Sequence, residues 1–166
     1  MEIKKPNRAT HTYTQRLIAE PSRVCSLLCP VREADWVDGW DPLFVITQSG
    51  VAEPDCVFVT SASPSNAVWY VIRHEPKNAF VEMLKITPQV TACKLTIQLS
   101  PSAAGSEATI TYSHTSLGPE GDVFVARFTE DCYLQFVRDW EARLNHYLSH
   151  GTALRAGVGS DSTDDK

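Results

Sequence analysis

Apolar and polar residues alternate along most of the first 117 positions. THTYTQRLIAE (10–20) is rich in Thr, Tyr, Leu and Ile at a period of two, and reads as a strand. The same reading applies to 41–50, closed by Gly50, and to 56–62, 67–75, 78–87, 91–100 and 107–117. Turn signals fall between these runs about every ten residues, as in an antiparallel meander. In the last run Thr109, Thr111, Ser113 and Thr115 occupy one side, and Ile110, Tyr112 and His114 the other.

Two segments break the alternation. In EPSRVCSLLCP (20–30), Pro21 suits a first helical turn, Val24, Leu27 and Leu28 sit at helical spacing, and Pro30 ends the run. VREADWV (31–37) is a second short helix, closed by Asp38-Gly39. Beyond Gly118-Pro119 the period changes for good. Phe124, Phe128, Cys132 and Phe136 form one i+4 row, and Tyr133, Val137, Trp140, Leu144 and Leu148 a neighbouring one. The spacing predicts one amphipathic helix over about 121–149, roughly 40 Å long, with Gly151 as its stop. The order is strand, two short helices, six strands, long helix. One helix cannot cover both faces of a flat seven-stranded sheet. A curved sheet wrapped around the helix buries both the apolar stripe and the concave face, and leaves a space between them unless bulky side chains fill it.

Length and charge narrow the class. A chain of 166 residues with 43% hydrophobic and 21% charged residues suits one soluble globular domain. A net charge of −5 and a pI near 5.5 argue against nucleic acid as a partner. No run is apolar enough to span a membrane, and no apolar stretch follows the basic start, so a cytoplasmic location is the expectation. We read 1–9 as a flexible N-terminus, 10–150 as the domain, and 151–166 as a disordered acidic tail. Five cysteines, an odd number, argue against a disulfide framework. Cys25 and Cys29 have no further ligands nearby for zinc. His146 and His150 lack both a zincin glutamate and a third ligand. No metal and no cofactor is expected.

The chain resembles the START-like superfamily, also called SRPBCC or Bet v 1-like. The resemblance rests on element order and on EPSRVCSLLCPVREADWVDGWDP, VWYVIRHEPKNAFVEML and TYSHTSLGPEGDVFVARF. The first stretch is similar to a bacterial, polyketide cyclase/dehydrase-like branch. The resemblance implies an α+β helix-grip fold: a curved seven-stranded antiparallel sheet wrapped around a long C-terminal helix, with two short helices after strand 1. It also implies a cavity between sheet and helix, but no particular reaction. Trp36 and Trp40 fall where such folds place the short helices that close one end of the cavity, as a gate or as a packing plug.

Several side chains are candidates for that cavity. Tyr112 and His114 share a face of the last strand, where an imidazole could bind a ligand carbonyl or move a proton. If Phe80 and Leu84 point inward, so does Glu82, with Arg73 on the adjacent strand as its partner. Trp69, Phe124 and Phe128 are expected to line the space. The ligand-binding set is therefore Trp36, Trp40, Trp69, Tyr112, His114, Phe124 and Phe128, and the catalytic candidates are His114, Tyr112 and Glu82. The first reading is binding of a small, largely apolar ligand, lipid-like or aromatic. The alternatives are a polyketide cyclase or aromatase-like enzyme, and an interaction protein of the chaperone-activator type, which needs an exposed apolar patch. Oligomeric state is not legible.

Overall fold

A computed structural model describes Met1 and residues 3–155. The tail expected to be disordered lies, from residue 156 onward, outside the described residues. Seven strands form one antiparallel sheet: β1 (Arg8–Leu17), β2 (Phe44–Ile46), β3 (Val57–Thr60), β4 (Ala67–Glu75), β5 (Phe80–Thr87), β6 (Thr91–Ser102) and β7 (Gly105–Ser116). Their order is β1-β7-β6-β5-β4-β3-β2, so the meander closes by returning β1 beside β7. Helix α1 (Pro21–Leu27) and a 3-10 helix (Arg32–Asp35) follow β1. Helices α2 (Pro119–Arg127) and α3 (Glu130–His150) close the chain. This is the helix-grip architecture that the element order implies.

The Thr-rich faces of β1 and β7 explain how the sheet returns on itself. Thr10 pairs with Ser113 (2.8 Å), Thr12 with Thr111 (2.8 Å) and Thr14 with Thr109 (3.2 Å) through their hydroxyls on the outer face. Such cross-strand hydroxyl pairs satisfy polar groups without drawing them into the core. β1 starts at Arg8, two residues before the alternation, because Arg8 pairs with Thr115 and its Nε donates to the Thr115 hydroxyl at 2.7 Å. Leu154, beyond α3, forms a parallel bridge with Val37.

The C-terminal helix departs from the expected single rod. Phe128 leaves helical geometry (φ −77°, ψ 66°), and Thr129 caps a new helix, its hydroxyl accepting from Cys132 N at 3.3 Å. Glu130 and Asp131 occupy the first turn, where the helix dipole favours negative charge. His11 Nε2 donates to the Phe128 carbonyl at 2.8 Å, satisfying a group the break leaves open. The break lets α2 cross the β5–β6 turn while α3 lies over the sheet.

Gly121 makes that crossing possible: a Cβ there would sit 1.9 Å from the Val90 carbonyl oxygen. Gly121→Ala is expected to lower stability by about 1–3 kcal/mol, as overpacking does. Urea unfolding checks this, and an unchanged midpoint would refute it.

α3 is fastened mainly to β1 and β7. Tyr133 donates its hydroxyl to the Ile110 carbonyl (2.6 Å), Gln15 Nε2 donates to the Val137 carbonyl (2.7 Å), and Asn145 bonds the backbone of Arg16 and Ile18. Tyr133, Val137 and Leu144 are buried beneath it. Fastened on this side, α3 stands clear of the middle of the sheet.

Candidate functional site

That clearance is a cavity of about 500 Å³. Its floor is the concave face of the sheet: Phe58 and Thr60 of β3, Trp69 of β4, Met83 and Lys85 of β5, Leu95 and Ile97 of β6, and Tyr112 of β7. Its roof is Phe136, Asp139, Trp140 and Arg143 of α3. Leu28, Glu33, Val37, Asp38 and Trp40, from the segment joining β1 to β2, close the side. Aromatic contacts hold the shell: Phe58 stacks on Trp69 at 5.3 Å, Tyr112 meets Phe136 edge-on at 5.8 Å, and Trp40 lies 6.4 Å from Phe58. An apolar shell with a few polar groups is the usual make-up of a small-molecule site.

The two tryptophans of the joining segment stand in different places. Trp36 is fully buried, donates its indole N–H to the Leu27 carbonyl at 3.0 Å, and packs against Trp140 at 5.4 Å. It sits behind the wall and does not line the cavity. Trp40 is half-buried, donates to the Pro30 carbonyl at 2.7 Å, and presents its ring to the space. On the helix side Trp36 meets Trp140, and Trp40 shares the cavity lining with Phe136 and Trp140 rather than with Phe124 and Phe128.

Phe124 and Phe128 belong to α2 and its end, which the helix break carries to the other end of the sheet. There they seal His114, at 4.8 and 4.6 Å, and line a second, more open groove of about 490 Å³. His114 faces inward as expected, yet does not reach the main cavity. It is 4% exposed, stacked on Tyr112 at 6.0 Å, and its Nδ1 has no hydrogen-bond partner among the described residues. Burial, reinforced by the Lys85 ammonium and by His11, pushes it down to about 4, so it is neutral near pH 7.

Glu82 corrects the expected phase of β5. Val81 and Met83 are buried and Lys85 lines the cavity, so Phe80, Glu82, Leu84 and Ile86 point outward. Glu82 pairs with Lys94 at 2.7 Å on the outer face. Arg73 stands opposite Glu82 in register, but its guanidinium binds Glu75 and lies over the Phe80 ring at 4.5 Å. β5 carries two half-apolar sets, and the more apolar one faces out, which inverts the reading from hydrophobicity alone. Of the catalytic candidates only Tyr112 reaches the cavity, and His114, Tyr112 and Glu82 share no site. Burial raises the Tyr112 phenol well above its ordinary value.

Two cavity residues carry no motif. Glu33, on the 3-10 helix, is half-buried as a residue, and loss of water around its carboxyl pushes it up to about 8. At pH 7 it is mainly a neutral acid. Lys85 is half-buried with its Nζ 5.0 Å from the Trp69 ring centroid, and desolvation lowers its pKa. An inward lysine becomes visible once Val81 and Met83 are recognised as the core-facing set. Glu33 gives no signal before the cavity is seen.

The cysteines are free, with Cys25, Cys29, Cys56 and Cys93 buried. Cys29 accepts from Ala52 N at 3.0 Å, and burial pushes Cys93 up to about 12, leaving it a thiol. His146 and His150 stack at 4.3 Å on the last turns of α3, and His150 donates to the His146 carbonyl at 2.9 Å. Among the described residues no helix is long and apolar enough to cross a membrane.

The curved sheet, the terminal helix and the cavity between them define the architecture as a helix grip. No protein-family model matches the chain, and no curated protein matches its sequence. Solved structures do. Norcoclaurine synthase from Thalictrum flavum is 9% identical with a TM-score of 0.65, over 87% of this chain and 88% of that one. Ara h 8.0201 is 11% identical with a TM-score of 0.59, over 87% and 100%. A protein from Chromobacterium violaceum is 20% identical with a TM-score of 0.53, over 82% and 95%. At these identities the likeness is one of fold.

Proposed function

We propose that this protein binds a small, largely apolar ligand, aromatic or lipid-like, between the sheet and α3. One observation carries the reading: a space of about 500 Å³ with aromatic walls of Trp40, Phe58, Trp69, Phe136 and Trp140, and with polar groups such as Glu33, Lys85, Asp139 and Arg143 on the rest of its lining. Water against the aromatic walls has few hydrogen-bond partners, so its displacement there by an apolar body is favourable. Fold likeness to norcoclaurine synthase from Thalictrum flavum, whose structure has been solved in complex with dopamine and hydroxybenzaldehyde, agrees with a ligand-holding fold. The polyketide cyclase or aromatase-like alternative, built on His114, Tyr112 and Glu82, loses its machinery because those groups share no pocket.

Titrating the delipidated protein with 1-decanol, followed by calorimetry and tryptophan emission, is expected to saturate at one site per chain. Filling the space with Met83→Phe and Leu95→Phe together should weaken binding at least roughly tenfold, with the fold intact by circular dichroism. No saturation, or equal binding by the filled variant, would overturn the proposal.

The outer face of the sheet favours a second reading, that of an interaction protein. Phe44, Val59, Val68 and Ile86 form one row across β2–β5, and Ile46, Val57, Tyr70 and Leu84 the next. Six of these eight are exposed, from Leu84 at 36% to Ile46 at 62%. A contiguous apolar face of this kind suits contact with a second copy of the chain. Light scattering that shows only monomers at high concentration would refute that pairing.

A further inference from the structure

We propose that Lys85 is the anchor for a carboxylate, so that the ligand is an amphipath: an apolar body bearing one carboxylate that meets the Lys85 ammonium inside the cavity. This rests on the cavity being a ligand site and names the chemistry of what enters it.

The argument is one of charge balance. Lys85 faces inward in a row with Trp69 on one side and Cys93 and His114 on the other. None of these neighbours offers a negative charge: an indole ring, a thiol held protonated by burial, and an imidazole held neutral. Lys85 makes no ion pair among the described residues. The ammonium lies over the Trp69 ring, whose indole N–H donates to the Thr60 hydroxyl at 3.1 Å. The cavity's other charges do not serve it. Asp139 is paired with Arg143 at 2.7 Å, Asp38 is exposed, and the Glu33 carboxyl keeps its proton at neutral pH.

An ammonium taken from water into an apolar cavity without a counter-charge is costly. A carboxylate arriving on a ligand supplies that charge and a charge-assisted hydrogen bond. The aromatic walls around it then receive the apolar body. A neutral ligand would fill the same space and leave the ammonium unpaired. The site should therefore discriminate by charge between ligands of one shape.

Decanoate and 1-decanol make that comparison on the full-length, delipidated chain, by calorimetry at pH 7. The expected result is decanoate binding roughly tenfold to a hundredfold tighter than decanol, the range for a hydrogen bond to a charged group. Lys85→Met should abolish that preference by weakening decanoate alone, and Lys85→Arg should retain it. Equal affinities in the unmodified protein, or a Lys85→Met variant that weakens both ligands alike, would overturn the anchor while leaving the cavity as a ligand site. Binding of neither ligand would overturn both. If Lys85→Met does not fold, Lys85→Gln carries the same test, and an unchanged decanoate preference in that variant would overturn the anchor.

Discussion

Trp36→Ala is expected to cost about 3–5 kcal/mol, the range for truncating a large buried aromatic. The indole is wholly buried, bonded to the Leu27 carbonyl and packed on Trp140, so its loss opens a hole behind the cavity wall and leaves that carbonyl unpaired. Trp40→Ala is the contrast. Trp40 is half-buried and faces the cavity, so its truncation should weaken ligand binding more than it lowers stability. Urea unfolding and decanol titration of the two variants test this. Equal stability losses at both positions, with equal effects on binding, would show that neither is distinguished by the wall between them.

The second large effect is on the pH dependence of stability. His114 titrates near 4 when folded and near 6.5 when unfolded. Between those values the unfolded chain holds a proton that the folded one refuses, so stability falls as pH falls. Glu33 works the other way. It titrates near 8 when folded and near 4.5 when unfolded, so its contribution falls as pH rises between those values. From pH 4.5 to 6.5, unfolding takes up a proton at His114 and releases one at Glu33, and the two slopes oppose each other.

His114→Phe removes the first slope, and should leave a protein that loses up to about 1.4 kcal/mol per pH unit as pH rises through this window. Glu33→Gln removes the second and should tilt the profile oppositely. Burial also depresses His74, which adds the same acid-side loss to both variants and cancels from their difference. Glu53 and Glu75, each held down to about 2 chiefly by hydrogen bonds, act mainly below the window. Parallel profiles for the two variants in chemical denaturation at pH 4.5 to 6.5 would refute the assignment.

His114→Phe has a further consequence near pH 7. It replaces an imidazole with an unpaired buried Nδ1 by a ring suited to the Phe124–Phe128 cluster. Leaving a buried polar atom unsatisfied costs about 1–3 kcal/mol, so the variant should gain stability there.

Which of these residues the chain reveals in advance follows from how local each signal is. Alternation in β6 and β7 is strict, with Cys93, Leu95, Ile97 and Leu99 of β6 paired across to His114, Tyr112, Ile110 and Ala108 of β7 on the same concave face, all buried. One apolar set per strand left no choice of face, so Tyr112 and His114 point as expected. β5 offered two sets, and a slip of one residue turned Glu82 inward on paper while hiding Lys85. The helix break was written locally, in Thr129 followed by Glu130 and Asp131, but the apolar row running from Phe124 to Phe136 overrode it. With the break at Phe128, Phe124 and Phe128 stand at the other end of the sheet from the cavity.

The sequence by itself determined the element order up to the C-terminal helical segment, the strand count, the hydroxyl-lined outer face of β7, and hence a sheet curved around a terminal helix. These follow from periodicity and turn chemistry, which act over a few residues at a time. Only the tertiary structure decided that Trp36 is wall and Trp40 lining, and that His114 is sealed away from the cavity. It alone brought Glu33 and Lys85, 52 positions apart in the chain, to one lumen. Charge and burial at such points are set by what lies across the space, and two segments that share no local pattern meet there only after the sheet has closed over the helix.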